Sequence, residues 1–426
     1  MGKEKTTTLI LTIMICTSIL LSGILLYGVS DGINAQMFDF EDIYFGRTPQ
    51  IKNVLIPWQI VAITGDEEII IIPGSSEFSK VMYILEETDT TVDNIYQWQL
   101  SELSPELFLS KGLYLNYGTE YFGDYLDYAL PKIQDYIYPT SDVHGLFFDM
   151  ENQTLSVIDN YKGHVWTHKF NFPSVVLQSL LDDAKKTQNL RMELLSLEQS
   201  NGLIFVPKDR FEIAPLLVAE DNVELDKIRK SFFNDLVSRK IEERDGTVIY
   251  TDGINSGLRI FGKNVYEYYS YLEISSPTIV SSESSLKDAV DFISKHGGWP
   301  STAYLVEYRF NDPVYSDYTL GFSYYGNGYP ILSTKYPLEV NIRGGKVLGY
   351  YRNIHHIRGL DNEGTLEVIS YDRILRNHVK EGETIQRMYL AYSLVEDKTE
   401  TLSPIWVIEL EERIIYVNAY TGEVMR

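Results

Sequence analysis

Read as a pattern of apolar and polar positions, the chain breaks into many short strands with a few helical stripes between them. Leu55 to Ile63 is apolar but contains Pro57, which removes a ladder donor, so an edge strand or a bulge is expected there. Gly65-Asp66 reads as a turn, Glu68 to Ile72 as the returning strand, and Phe78 to Leu85 as a short helix. Further strands are predicted at Leu113 to Tyr117, Gly145 to Asp149, Thr154 to Ile158 and Val165 to Phe170. Pro173 and Ser174 open a helix through Leu177, Leu180, Leu181 and Ala184, and Lys185 and Lys186 stand near its negative C-terminal end. Leu203 to Val206 closes this part before Pro207.

A second unit is expected from about Arg210. Leu225, Ile228, Phe232 and Leu236 fall on one face of a helix predicted over Leu225 to Val237, followed by strands at Thr247 to Tyr250 and Gly257 to Phe261. The last third is the most regular. Leu286, Ala289, Val290 and Ile293 form a helical stripe, Ser285 with Asp288 resembles a capping box, and His296-Gly297-Gly298 followed by Pro300 ends the helix. Tyr304, Val306, Tyr308 and Phe310 then alternate with Leu305, Glu307 and Arg309, and the stripe should pack on the strand carrying Tyr304, Val306 and Tyr308. Leu338, Val340 and Ile342 alternate with Glu339, Asn341 and Arg343 and run into Gly344-Gly345, a two-residue hairpin signal. The order recurs: Tyr371, Ile374, Leu375 and His378 make a helix after Ser370, and strands follow at Met388 to Leu394, Ile405 to Leu410 and Ile414 to Asn418. The pattern predicts an α+β fold in which helices pack on antiparallel sheets. It divides the chain into an N-terminal ectodomain over 45–208, a central domain over 209–280 and a C-terminal domain over 281–426.

The N-terminus departs from this pattern. Thr6 to Ser30 carries no charge and is rich in Leu and Ile, longer than the ~7–15 residues of a cleavable signal core and long enough for the ~20 residues of a transmembrane helix. Lys3 and Lys5 precede it and Asp31, Asp39, Glu41 and Asp42 follow. The expectation is a cytoplasmic tail over 1–5, a span over 6–30, and everything beyond on the outer side. Ser18, Ser22 and Gly23 place small side chains where another membrane helix can approach closely, a candidate helix interface.

Hydrophobic residues make up 44% of the 426-residue chain and charged ones 23%, a folded composition, and the 32 tyrosines favour pleated, half-buried surfaces. The net charge of -23 repels phosphate backbones, which argues against nucleic acid as a partner. The single cysteine, Cys16, lies in the apolar run, so no disulfide can form within the rest of the chain.

Reactive constellations are hard to find. His296-Gly297-Gly298-Trp299 has the look of a lipase oxyanion loop, but the Gly-x-Ser-x-Gly elbow is missing: Ser256 is one place out between Gly253 and Gly257, and Gly321-Phe322-Ser323-Tyr324-Tyr325 lacks the second glycine. His164 and His168 sit on a predicted strand, where four residues span roughly 13 Å. His355-His356 point to opposite faces if extended, and neither pair has a third ligand. Asp182-Asp183 and Glu242-Glu243 read as solvated charges, Gly326-Asn327-Gly328 as a turn, and the five tryptophans as packing on sheet faces. The expectation is therefore no catalytic residues, no cofactor and no metal.

Several short motifs in a fixed order give a family resemblance. They are Ile56-Pro57-Trp58-Gln59-Ile60-Val61, Phe232-Phe233-Asn234-Asp235 ahead of Tyr250-Thr251-Asp252-Gly253, the segment His296 to Trp299, and Gly328-Tyr329-Pro330-Ile331. The last is Trp406 with Tyr416-Val417-Asn418-Ala419-Tyr420-Thr421-Gly422-Glu423. With the basic N-terminus and single apolar run, they make the chain resemble the YycH family of membrane-anchored regulators in low-GC Gram-positive bacteria. The final motif also looks like the strand and turn of PepSY-type modules and of the sister regulator YycI. The resemblance implies a noncatalytic accessory protein of the WalK (YycG) sensor histidine kinase, which controls cell-wall metabolism, in contact with kinase and YycI through membrane helix and ectodomain. Two alternatives remain: a PepSY-like inhibitor or folding factor for an exported protease, which a neighbouring protease gene would favour, and an anchored cell-wall enzyme, which needs a converging catalytic set.

Overall fold

The structure, a computed structural model, describes residues 45–87, 99–121, 125, 143–160, 162–170, 174–186, 190–195, 200, 203–219, 224–233, 239–262, 265–272, 279–353, 356–359, 364–394 and 401–425. Among the described residues no helix is long and apolar enough to cross a membrane. The span expected over 6–30, with Ser18, Ser22 and Gly23, lies outside them.

The first sheet has nine strands in the spatial order Gln99–Glu102, His164–Lys169, Thr154–Asp159, Val143–Asp149, Gly112–Tyr121, Gln59–Ile63, Glu68–Ile71, Arg191–Leu194 and Phe205–Pro207. Every pairing within it is antiparallel. Helices α1 (Ser76–Glu87) and α2 (Ser174–Lys186) pack on each other, and α2 rests on Gln59–Ile63 and Glu68–Ile71. Phe78, Val81 and Leu85 of α1 and Leu177, Leu181 and Ala184 of α2 join Ile60, Ala62, Leu113 and Leu115 in one core. A second core on the other face gathers Val61, Ile63, Phe108, Tyr114, Phe147 and Phe205. Burial on both faces is why most of Gln59–Ile63, and Leu146 to Phe148 within Val143–Asp149, read as apolar runs rather than alternating ones. It also corrects the expected edge strand at Leu55 to Ile63. Pro57 lies before the strand, and the strand itself is paired on both sides, Ile60 with Ile71 and with Leu115.

The second sheet has twelve strands. Arg239–Glu242, Val248–Thr251, Ser256–Phe261 and Val265–Ser270 form a meander that continues into Lys346–Asn353, Leu338–Arg343 and Asp317–Gly326, with Ala303–Asp312 paired to the last. Segments 209–280 and 281–426 thus share one hydrogen-bonded sheet. Helix α3 (Leu225–Phe232) is shorter than the predicted Leu225 to Val237: Phe233 is already extended, and Leu236 lies outside the described residues. Helix α4 (Ser282–Lys295) is capped one turn earlier than the expected Ser285 and Asp288 box. Ser281 Oγ accepts from Ser284 N at 3.2 Å, and Ser285 is buried inside the helix.

Leu286, Ala289, Val290 and Ile293 are all buried, and α4 lies across Asp317–Gly326, Leu338–Arg343 and Lys346–Asn353. On Ala303–Asp312, Tyr308 packs against the core that holds the stripe, as expected, but a bulge between Leu305 and Glu307 leaves Tyr304 on the opposite face, stacked on Tyr325, and Phe310 is exposed. Leu338, Val340 and Ile342 do alternate as predicted, and Gly344 and Gly345 take φ of 54° and 75° in the hairpin turn.

The recurring helix, α5 (Tyr371–His378), is followed by Ile385–Ser393, Pro404–Leu410 and Ile414–Asn418, an antiparallel meander. It joins the rest of the sheet through one parallel pairing, Ile331 with Tyr392 and Leu332 with Ser393. Two small sheets, Glu212–Ile213 with Leu366–Glu367, and Leu216–Ala219 between His356–Gly359 and Thr401–Leu402, complete this end.

Candidate functional site

Most of the sequence candidates turn out to hold the fold together. The His296 ring stacks on Phe232 at 4.1 Å, and its Nδ1 lies 3.2 Å from Ser231 Oγ. Burial, aided by the neighbouring Lys295 charge, pushes its pKa down to about 4, so the ring is neutral at ordinary pH. Gly297 and Gly298 present carbonyl oxygens to the buried Arg352 guanidinium, at 2.8 and 2.7 Å, where an oxyanion loop would present N–H groups. Ser323 Oγ is buried and donates to Ile331 O at 2.6 Å. Ser256 opens a strand, its N–H held by Asp252 Oδ1, which also accepts from Ile254 N and Asn255 N. Burial at that turn works against the Asp252 charge, yet the three N–H groups hold its carboxyl below the usual range.

His164 and His168 lie on one strand, and His168 is buried with Nδ1 against Lys169 O. His355 lies outside the described residues. Asp183 pairs with Lys186, Asp182 accepts from Gln178, and Glu242 lies beside Lys240. Asn327 and Gly328 form a left-handed hairpin turn. Among the tryptophans, Trp406 is buried and donates to Ile369 O at 2.9 Å, Trp299 packs edge-on to Phe322, and Trp166 lies beside His164. Trp98 lies outside the described residues, and Trp58 does something else.

Trp58 lines a cleft of about 400 Å³ that joins the first sheet to the second, within the roughly 300–1,000 Å³ of small-molecule sites. At one end Trp58 meets Tyr389 edge-on at 4.5 Å, Tyr389 donates to Glu409 Oε1 at 3.1 Å, and Arg387 Nε donates to Glu409 Oε2 at 2.6 Å. Burial and the Glu409 charge raise the Tyr389 pKa far above that of a free tyrosine, keeping the hydroxyl a donor. The indole Nε1 of Trp58 is shielded from solvent and has no hydrogen-bond partner among the described residues.

The other end is set by strand register. Glu307 stands opposite Gly321, Gly321 opposite Glu339, Glu339 opposite Tyr351, and Tyr351 opposite Glu267. Directly paired positions share a face, so these five residues form one row across the sheet, on the face turned away from α4. The Tyr336 ring occupies the gap at Gly321, where an added β-carbon would stand 2.5 Å from Tyr336 Cδ2. Tyr336 donates to Glu307 Oε2 at 3.1 Å, and Arg309 donates to Glu307 Oε1 at 3.0 Å. Burial, with Glu307 and Glu339 nearby, pushes the Tyr336 pKa up to about 12. Lys335 Nζ sits 3.5 Å from the Tyr351 ring centroid and 3.9 Å from Glu267. Glu339, at the centre of the row, is half-buried and has no ion-pair or hydrogen-bond partner for its carboxylate among the described residues.

No residue of this row is visible as a site in the sequence, because adjacency depends on register across five strands. The one available signal was Gly321 inside a strand, which marks close approach by another group.

Two large sheets, antiparallel but for the single pairing of Ile331 and Leu332 with Tyr392 and Ser393, carry the helices and define an α+β protein of meanders. The family model described as "YycH protein, C-terminal domain" matches residues 201–423. The chain belongs to the YycH family. The crystal structure of YycH from Bacillus subtilis is similar at a TM-score of 0.62 and 14% identity, covering 88% of this chain and 98% of that one. An uncharacterized protein from Eubacterium rectale matches at a TM-score of 0.35 and 13% identity over 53% of this chain and 90% of its own. The YpeB C-terminal domain from Bacillus megaterium matches at 0.27 and 15% identity over 49% of this chain and 97% of its own. No curated protein matches by sequence.

Proposed function

We propose that this chain is a noncatalytic, membrane-anchored extracytoplasmic regulator of the WalK (YycG) sensor histidine kinase, acting together with YycI in the control of cell-wall metabolism. The observation that carries the reading is membership of the YycH family through residues 201–423. Supporting it, the side chains most suggestive of catalysis are engaged in structure: Ser323 in a buried hydrogen bond, His296 in an aromatic stack, Gly297 and Gly298 under Arg352. The reading places 1–5 in the cytoplasm, 6–30 in the membrane with Ser18, Ser22 and Gly23 facing partner helices, and the segments 45–208, 209–280 and 281–426 outside. It takes the last of these as the YycI- or PepSY-like part. Pull-down of the full-length chain from solubilised membranes tests it. Recovery of the kinase and YycI is expected, and recovery of an intact chain free of kinase overturns the reading.

A further inference from the structure

The cleft behind Trp58 is unbalanced in charge. Three carboxylates line it, Glu307, Glu339 and Glu409, with two cations, Lys335 and Arg387. Arg387 is engaged by Glu409, while Lys335 lies over Tyr351 and beside Glu267. Glu307 is met by Arg309 and Tyr336. Glu339 alone is unmatched, in a row whose other charged members are also acidic, so the local potential there is negative. Around it the walls are aromatic: Trp58, Tyr304, Tyr336, Tyr389 and Tyr416. Ring faces attract cations, and a half-buried carboxylate adds a charge-assisted acceptor. An anion would meet Glu339 without a counter-charge. A purely apolar ligand would leave the carboxylate desolvated and unpaired, which costs free energy.

We propose that this cleft binds an organic cation, a primary ammonium on an alkyl chain, with the nitrogen at Glu339 and the methylenes against the aromatic walls. The ammonium can belong to a lysine side chain of a peptide or to a free diamine, and both present the same chemistry. Binding does not depend on the kinase, so its failure leaves the regulatory reading standing, and the reverse also holds.

The test is a ligand-observed NMR titration of the full-length chain in detergent micelles with Ac-Gly-Lys-Gly-NH2, its Nε-acetyl-lysine counterpart and cadaverine. Saturable binding of the lysine peptide or of cadaverine is expected, and which of the two binds tighter tells a peptide source from a free amine. Acetylation should weaken the peptide at least tenfold, and Glu339→Gln should weaken the tighter cation by a similar factor. Glu242→Gln is the control for diffuse attraction to an acidic protein. Its strand lies five strands away, roughly 24 Å at ~4.8 Å per strand, and binding should be unchanged. The proposal is overturned if neither cation saturates, if the acetylated peptide binds as well as the charged one, or if Glu242→Gln weakens binding as much as Glu339→Gln.

Discussion

The Arg352 guanidinium donates to Gly298 O at 2.7 Å across fifty-four residues of sequence, and its other terminal nitrogen donates to Gly297 O at 2.8 Å. A buried cation is thereby placed just past the C-terminus of α4, where the helix dipole and unpaired carbonyls favour positive charge. Tyr266 completes the arrangement by donating to His296 O at 2.6 Å. The Gly-Gly pair serves as a helix stop that Arg352 fastens to the sheet.

Arg352→Met should therefore destabilise the protein without changing any binding in the cleft. Each carbonyl left buried without a donor costs about 1–3 kcal/mol. Gly298→Ala should also destabilise, because φ is 82° and the new β-carbon would stand 2.6 Å from Phe45 O. Urea unfolding followed by circular dichroism measures both. A midpoint unchanged in Arg352→Met would show that the guanidinium does not fasten the helix end.

His296 predicts a pH dependence. Its folded pKa lies near 4, below the 6.5 of a free histidine, because burial and Lys295 disfavour the charged ring, while the contact with Ser231 acts the other way. Above about 6.5 both folded and unfolded states are neutral at this position, and its full stability contribution is present. As pH falls from 6.5 to 4 the unfolded chain takes up a proton that the folded one refuses, so stability declines, by roughly 3 kcal/mol at the limit. His296→Phe should flatten this part of the stability profile relative to the parent. Parallel profiles between pH 7 and 4 would mean that the ring titrates normally in the fold.

Much of the fold was legible wherever one face of an element alone is buried. Leu338, Val340 and Ile342 announce their strand because α4 covers one face only, and the α4 stripe announces itself for the same reason. The misreadings came from tertiary context. Pro57 signals an edge only if it lies inside the strand, and here it lies two residues before it. The bulge after Leu305 shifts the alternation by one, which no local pattern reveals. The cleft was illegible for a related reason: Glu307, Glu339 and Glu267 are ordinary surface charges in sequence, and only register brings them into a row.

Val290 tests the layer assignment directly. It is 1% exposed, in the middle of the α4 stripe that lies on three strands of the second sheet. Val290→Ala should cost on the order of 1–3 kcal/mol through lost burial and the cavity left behind. The same substitution at Val175, which is 82% exposed, should be near neutral. Equal effects at the two positions in thermal unfolding would contradict the packing of α4.

The proposed membrane span offers a sharper test of mechanism. If Thr6 to Ser30 is only a tether, any spanning helix will serve. If Ser18, Ser22 and Gly23 form part of the interface with kinase helices, their small side chains allow close approach, and the serine hydroxyls can bond across helices. Such bonds average only about 0.6 kcal/mol in membranes, so specificity must come from several contacts acting together. Ser18→Leu with Ser22→Leu should weaken recovery of the kinase while leaving insertion intact, since leucine is the more apolar residue. Replacing Thr6 to Ser30 with an unrelated spanning helix should weaken recovery further and alter kinase output. A chimera with unchanged co-purification and unchanged output would reduce the segment to an anchor and place regulation wholly in the ectodomain.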